Sequence, residues 1–437
     1  MRFIGLDLHK KLLVVCALDG RGQLAFRESV ECSREALEAF ARAKLEKTDR
    51  LAVEATTNTW AVADILRPFV AAVTVGNPLP IKAIAQAKVK TDKIDAEVLA
   101  HLLRCDYLPT VWTPDAATQK LRELTTLRGN LIIDRSRLKN RIQSLLAQLL
   151  VTPPVKVVFG VKGLKWLRAV DLPAEVRSAV DLYLRLYDAV EAEVRKIDDQ
   201  LMAMAYDDAR AKLLMTLPGI AHGVALSLLA ALGDIDRFPD GDHAASYLGL
   251  TPRLRQSAGK RHYGGVTKAG CPQTRAMLVQ AVQAASDHPG PIGAFFRRLR
   301  RKKKYNVAVI ATARKLVTIA YLMLKHNEPY RYAKPDVVKS KFTDCRRKAE
   351  KAGKAGKAKK AGKAKKALDR SPEGASSGSR LNDLYREHGL PACQSPAAWS
   401  DGERRGHADP AVTEFAEDVH RLPPTKPRSN RATTRSE

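Results

Sequence analysis

Asp7 follows directly on the apolar run Phe3-Ile4-Gly5-Leu6, and a carboxylate that closes a buried strand must be paired or metal-bound to offset its desolvation. Glu54 stands in the same relation to Leu51-Ala52-Val53. Further on, Lys90-Thr91-Asp92-Lys93-Ile94-Asp95-Ala96-Glu97 puts two carboxylates three residues apart, just ahead of an apolar helical pattern. Residues i and i+3 of a helix share a face, so Asp92 and Asp95 aim at one point. Taken singly, each acid reads better as a solvated surface group or a helix cap than as a metal ligand. Together, Asp7, Glu54, Asp92 and Asp95 come from three separate elements, which is how a divalent-metal site for phosphoryl transfer is built. Mg²⁺ takes hard oxygen ligands and keeps several waters.

The first region reads as α/β. Strands are expected at Arg2 to Leu8, Leu12 to Leu18 and Gln23 to Glu28, with a turn at Asp19-Gly20-Arg21-Gly22. A helix from Ser33 carries Leu37 and Phe40 on one face. A strand at Leu51 to Glu54, a helix from Thr59 to Arg67 and a strand at Ala72 to Val75 then lead to the helix holding Asp92 and Asp95. A strand meander followed by strands alternating with helices indicates a mixed sheet, whose functional residues collect at strand ends. We place this domain at residues 1–112.

Residues 113–208 read as a helical, coiled-coil arm. Leu124, Leu131, Leu138, Ile142, Leu145 and Leu149 form one stripe. Val176, Val180, Tyr183, Tyr187, Val190, Val194, Ile197, Leu201 and Met204 alternate four and three, the heptad signature. Heptads do not identify the partner, so an intramolecular hairpin and an intermolecular coiled coil both remain open.

Residues 209–333 form a third, mostly α-helical region. Leu217-Pro218-Gly219-Ile220 joins two helices; it either exposes amides that hold a phosphate or simply links two packed helices. The stretch from Tyr247 to Gly270 reads as a polar, basic, glycine-bearing loop suited to phosphate contact, between helices that continue at Pro272 to Ser286 and Val307 to Leu324. Arg253, Arg255, Lys260, Arg261 and Lys268 in this loop are either solvated charges or nucleic-acid clamps. From residue 334 to 437 the composition turns to Lys, Ala, Gly, Ser and Pro, which predicts a disordered basic tail that binds polyanions without sequence preference.

The formal net charge of +28 on 437 residues points to an anionic polymer as partner, nucleic acid first and anionic membrane second. No stretch reads as approaching the roughly 18 apolar residues that span a bilayer, and the tail lacks apolar anchors for a membrane surface. The expected setting is a bacterial cytoplasm, in association with the nucleoid. Six scattered cysteines without a Cys-x-x-Cys pair support neither a zinc ribbon nor a disulfide framework.

Gly5-Leu6-Asp7, Val53-Glu54-Ala55-Thr56 and Lys90-Thr91-Asp92-Lys93-Ile94-Asp95-Ala96 resemble the three RuvC-like motifs of DEDD insertion-sequence transposases related to the Piv DNA invertases, a family that includes bridge-RNA-guided recombinases. Gly249-Leu250-Thr251-Pro252, Ser257 and Thr267-Lys268-Ala269-Gly270 resemble that family's C-terminal domain. The resemblance covers roughly residues 1 to 330. It implies a RuvC/RNase H-like first domain, with Asp7, Glu54, Asp92 and Asp95 as metal ligands for Mg²⁺ or Mn²⁺ and Ser257 as the nucleophile. It also implies DNA as substrate, a structured guide RNA, and a homodimer or homotetramer with a site composed between protomers. The chain departs from the family pattern at Thr57-Asn58, at Ala258 and at Cys271, where the family commonly has glycine, glycine and asparagine.

The function expected is a DNA transposase or recombinase that stores the phosphoester on Ser257. A junction-resolving nuclease that uses only the acids is the runner-up; it would survive Ser257→Ala. A non-catalytic nucleic-acid-binding protein is the alternative from a different class; it would be indifferent to Asp7→Ala.

Overall fold

The computed structural model describes residues 1–84, 91–257, 259–351, 380–394 and 409–420. Lys90, Ala258 and most of the Lys/Ala/Gly run therefore lie outside the described residues. The chain divides into two compact units, Met1–Asp115 and Ala116–Glu437.

The first unit is built on a five-stranded mixed sheet. Strands β1 (Phe3–Leu8), β2 (Leu12–Leu18), β3 (Leu24–Glu31), β4 (Arg50–Glu54) and β5 (Ala72–Gly76) take the spatial order β3-β2-β1-β4-β5. The β1/β2 and β2/β3 pairs are antiparallel, whereas β1/β4 and β4/β5 are parallel. The α/β reading therefore holds, and so does the strand meander. Period-two alternation sends Ile4, Leu6, Leu13 and Val15 to one face. There they pack with Leu37 and Phe40 of α1 (Arg34–Lys44) and Val62 and Leu66 of α2 (Thr59–Leu66). Helix α3 (Pro78–Ile84), which the sequence did not announce, follows β5.

The opposite face carries α4 (Asp92–Arg104), which buries Ala96 and Ala100 against Val14, Cys16 and Leu18. Gly5 permits this approach: a Cβ added there would fall 1.9 Å from the Ala96 carbonyl oxygen. Thr91 caps α4, its hydroxyl accepting from the Ile94 amide, so Asp92 and Asp95 occupy the first turn, where the helix dipole favours acids. Arg27 of β3 pairs with Glu97 at 2.6 Å and ties α4 to the sheet.

In the second unit, α5 (Ala116–Gln148) and α7 (Ala174–Asp207) are joined through α6 (Val161–Ala169). Arg128 pairs with Asp198 at 2.5 Å and Arg135 with Glu191 at 2.7 Å. Seven residues forward on α5 match seven backward on α7, so the two helices run antiparallel. Ile142 and Leu146 pack against Val180 and Leu184 in one cluster. The heptad face thus finds a partner within its own chain. The arm and the C-terminal region, expected as separate domains, share one compact unit.

Helices α8 (Ala209–Met215) and α9 (His222–Leu232) follow, then α10 (Gly241–Tyr247), α11 (Pro272–Ser286), α12 (Pro291–Arg300) and α13 (Tyr305–His326). Helix α9 is apolar nearly all round and is buried accordingly. The Leu217-Pro218-Gly219-Ile220 turn is packed, with Leu217 and Ile220 fully buried. Lys341 donates to the carbonyls of Met215 at 2.8 Å and Ile220 at 2.7 Å, and burial draws its pKa down to about 8. The turn here links packed helices. Helix α13 is long and apolar enough to cross a membrane by length and composition, which corrects the expectation that no such stretch exists. Half of its most apolar window is buried in the protein, where it serves as a core helix.

Two further expectations change. The Tyr247–Gly270 stretch is not all loop, because β6 (Pro252–Ser257) and β7 (Lys260–Val266) pair as an antiparallel hairpin. The region after residue 334 is not uniformly disordered. Helices α14 (Pro335–Lys351), α15 (Arg380–Glu387) and α16 (Pro410–His420) contribute Val338, Phe342, Leu381, Tyr385, Ala416 and Val419 to the core of the second unit. These apolar residues recur at helical spacing, a signal that the Lys/Ala/Gly run between them obscured.

Candidate functional site

The parallel register that pairs Leu6 with Val53 brings Asp7 and Glu54 side by side at the carboxyl ends of β1 and β4. Residues level with each other in a parallel pair point to the same face. For Asp7 that face is the one shared with Gly5, against which α4 packs. The first turn of α4, with Asp92 and Asp95, therefore opens over the strand ends that carry Asp7 and Glu54. Asp7, His9 and Asp92 each place a ligand atom within 4.8 Å of the others.

His9 was not among the residues singled out from the sequence. Its Nε2 lies 3.1 Å from Asp7 Oδ2 and 3.3 Å from Asp92 Oδ2, so the imidazole sits between two carboxylates. Its place two residues after Asp7, just past a strand end, was the available signal.

Two acids of the first unit show how surroundings decide a carboxylate's role. Burial alone would raise the pKa of the fully buried Asp49, but Arg2 and two backbone amides bind it and hold it below the usual carboxylate range. Asp7 shifts the other way. Burial pushes its pKa up, His9 draws it partly down, and the nearby charges of Asp95 and Asp92 push it up again. Asp49 is satisfied by the protein; Asp7 stands in a crowd of like charges that a cation would relieve.

The donor set fits a divalent ion. A cation bonded at about 2.1 Å to two oxygens holds them no more than about 4.2 Å apart, comparable to the spacing among Asp7, His9 and Asp92. Carboxylate oxygens suit Mg²⁺ and Mn²⁺, and an imidazole nitrogen is better tolerated by Mn²⁺.

Ser257 lies in the second unit, at the tip of the hairpin, where it pairs with Lys260, and Gly259 takes a positive φ of +77° beside it. Every described residue from Pro252 to Gly265 is exposed. Strand alternation sorts the cations: Arg255, Ser257, Lys260 and His262 share one face, and Leu254, Gln256, Arg261 and Tyr263 the other. Arg253 lies beside an irregularity in the pairing, and Lys268, with φ +57°, lies beyond the hairpin's base.

That base is tightly made. The Thr267 amide donates to the Thr251 carbonyl at 2.9 Å, and Arg275 donates to the carbonyls of Ala269 at 2.8 Å and Leu248 at 3.3 Å. Gly249 (φ +70°) and Gly270 (φ +69°) sit where a Cβ would fall 2.2 Å from the carbonyl oxygens of Ala269 and Tyr247. The motifs at residues 249–252 and 267–270 are thus the clamp from which the serine-bearing hairpin projects. A second basic surface, which the sequence reading passed over, is formed by Arg297, Arg298 and Arg300 at the end of α12 and by Arg301 through Lys304, all exposed.

Comparison with known proteins gives this arrangement a class. Residues 4–151 match the DEDD domain of the IS110 group, described as "Transposase", and residues 211–297 match "Transposase IS116/IS110/IS902 family". Together the two matches span more than half of the chain. A "Transposase for insertion sequence element IS1111A" from Coxiella burnetii is 24% identical over 348 residues, covering 76% of this chain and 92% of the relative. A "Pilin gene-inverting protein" from Moraxella bovis is 29% identical over 266 residues, covering 59% of this chain and 74% of the relative. The two family matches define a transposase of the DEDD type. The chain belongs to the IS110 family of transposases.

Proposed function

We propose that this chain cuts and rejoins the DNA of an insertion sequence, using Asp7, Glu54, Asp92 and Asp95 as ligands for Mg²⁺ or Mn²⁺ and Ser257 as nucleophile. The observation that carries this reading is the convergence of Asp7 and Asp92, from a strand end and a helix start, on one point beside Glu54 and Asp95. A bound divalent ion there would supply charge neutralisation at the scissile phosphate.

The protein's own groups act as follows. The acids would hold the ion at the strand ends, and the ion's charge would draw the phosphodiester there. Ser257 Oγ attacks phosphorus; the Oγ–P bond forms as the P–O3′ bond breaks. The proton lost from Oγ balances the one gained by the departing 3′-hydroxyl. The 5′-phosphate stays on the serine, and attack by another 3′-hydroxyl reverses the step, so no external energy source is needed. Lys260 and Arg255, on the same hairpin face as Ser257, hold phosphate oxygens. Arg253, Arg261 and Lys268 contact the flanking backbone. In this reading the acids belong to one unit and the serine to the other, and the working form is a homodimer or homotetramer in which protomers share the chemistry. The family resemblance implies a structured bridge RNA that selects the sites, and the net charge of +28 suits polyanion partners in general and residence on the nucleoid.

The test is denaturing electrophoresis of protein incubated with labelled DNA from its own element's ends, Mn²⁺ and the RNA retained on purification. Wild type should give a metal-dependent covalent adduct, and Ser257→Ala should give none while keeping DNA affinity. Cleavage that survives Ser257→Ala would identify a nuclease that uses the acids alone. Sequencing the retained RNA tests guidance: one discrete species from the flanking region supports it, and heterogeneous RNA removed by salt opposes it.

A further inference from the structure

The first unit contains a cavity of about 700 Å³ that none of the motifs accounts for. It opens at the carboxyl end of β1, between the starts of α1 and α2, on the layer opposite α4. Its size falls within the roughly 300–1,000 Å³ of small-molecule sites. Leu37, Val62 and Ile65 give it an apolar floor. Lys10 and Arg34, both exposed, border it with positive charge, and Thr57 and Asn58 border it with hydrogen-bonding groups. Asn58 is held in place: its Nδ2 donates to the His9 carbonyl at 3.4 Å, and its Oδ1 accepts from the Thr56 hydroxyl at 3.3 Å.

His9 belongs both to this cavity and to the cluster with Asp7 and Asp92. His9 thus joins the acid cluster to the cavity's mouth, which puts the cavity within reach of a nucleotide next to a phosphate held at the acids. We propose that the cavity receives an unstacked nucleobase from the strand being cut, one or two nucleotides from the scissile phosphate. The base lies on the Leu37, Val62 and Ile65 floor, its edge is read by Thr57 and Asn58, and its phosphates meet Lys10 and Arg34. This is the usual make-up of a pocket for an extruded base, apolar contact for the ring with polar groups at its edge. Thr57-Asn58, where the chain departs from the family's glycine, then selects which base is accepted. The inference rests on the acids being the cleavage centre.

The experiment measures anisotropy of labelled single-stranded oligonucleotides from the element's ends, each with one abasic position. The full chain is used with the RNA it retains, in Ca²⁺. Ala61→Trp and Thr57→Phe, both at exposed cavity-lining positions, fill the space without replacing a core residue; melting curves check that they fold. One abasic position should weaken wild-type binding about tenfold, the loss expected for one stacked base. Each cavity variant should weaken the intact oligonucleotide by a similar factor and be insensitive to that abasic position. If the two losses multiply at every position while wild type still cleaves in Mn²⁺, the cavity does not hold a base and the cleavage reading stands. If neither cleavage nor any effect of Asp7→Asn on DNA binding is found, both fail together.

Discussion

Ser257 and Lys260 form the last rung of an exposed two-stranded hairpin, so the hydroxyl and the ammonium stand on the same face. Arg255 and His262 share that face, while Arg261 faces the other way. Cations that looked equivalent along the sequence are divided by the pleat. An isolated hairpin with both faces in solvent is marginally stable, and the clamp at Gly249 and Gly270 supplies what its own packing does not.

We expect Lys260→Ala and Arg255→Ala to cut covalent adduct formation at least about tenfold, and Arg261→Ala to leave that step within about threefold. All three should weaken DNA binding, each lowering the slope of log affinity against log salt by about 1 where a phosphate contact is lost. Salt-titrated binding with single-turnover adduct assays separates the two effects. Equal losses of adduct in all three variants would argue against the division by faces.

Gly5→Val should destabilise the first unit by about 3 kcal/mol or more, because the new side chain meets the Ala96 carbonyl and forces α4 off the sheet. Asp92 and Asp95 ride on that helix, so Mn²⁺ affinity should fall with stability. Urea unfolding read beside Mn²⁺ titration checks both. Tight Mn²⁺ binding by a destabilised Gly5→Val protein would show that the acids do not depend on α4's seat.

Asp7→Asn should stabilise the metal-free protein at neutral pH, raising its melting temperature. The sign follows from Asp7's raised pKa: burial and the Asp95 and Asp92 charges favour its neutral form in the fold, so its ionised form is a burden. The same substitution should abolish the thermal upshift that Mn²⁺ or Mg²⁺ gives wild type. Melting curves with and without EDTA read both. A lower melting temperature without metal would mean that the His9 contact outweighs the crowding.

His288 is buried in the second unit. Its Nδ1 accepts from the Gly290 amide at 3.0 Å, its ring meets Phe415 edge-on at 5.2 Å, and its Nε2 has no partner among the described residues. Burial, reinforced by Lys334, Lys341 and Arg297, lowers its pKa from 6.5 to about 4. The folded state resists protonation that the unfolded chain accepts, so this contribution is intact above pH 6.5 and is lost as pH falls toward 4. The full loss is about 3 kcal/mol. Unfolding by urea across that window should show the slope, and His288→Phe should flatten it.

The approach of Asp7 to Asp92 was legible because its logic is local. A carboxylate ending an apolar strand, and two carboxylates at i and i+3 just ahead of an apolar helical pattern, state their geometry within a few residues. His9 was not legible, since a histidine after Leu8 carries no periodic signal and its value lies in reaching both Asp7 and Asp92. The hairpin was missed for a related reason: its strands have no buried face, so the apolar alternation that marks most strands is absent from Arg253 to Val266. The heptads announced a helix pair, and only the ion pairs of Arg128 and Arg135 revealed its partner. The packed segments after residue 334 were hidden by the charge of their neighbours.

Those segments also decide how the gene can be handled. The composition invites removal of everything past residue 334 as a dispensable polycation. Such a cut would strip Phe342, Tyr385 and Val419 from the core and leave Tyr330, whose carbonyl accepts the Tyr385 hydroxyl at 2.6 Å, open to water. Lys341's hold on the turn before α9 would go as well. A frameshift or premature stop in that stretch, the ordinary decay of a mobile element's reading frame, would therefore leave a chain that lacks part of its core, even with every acid and the serine intact.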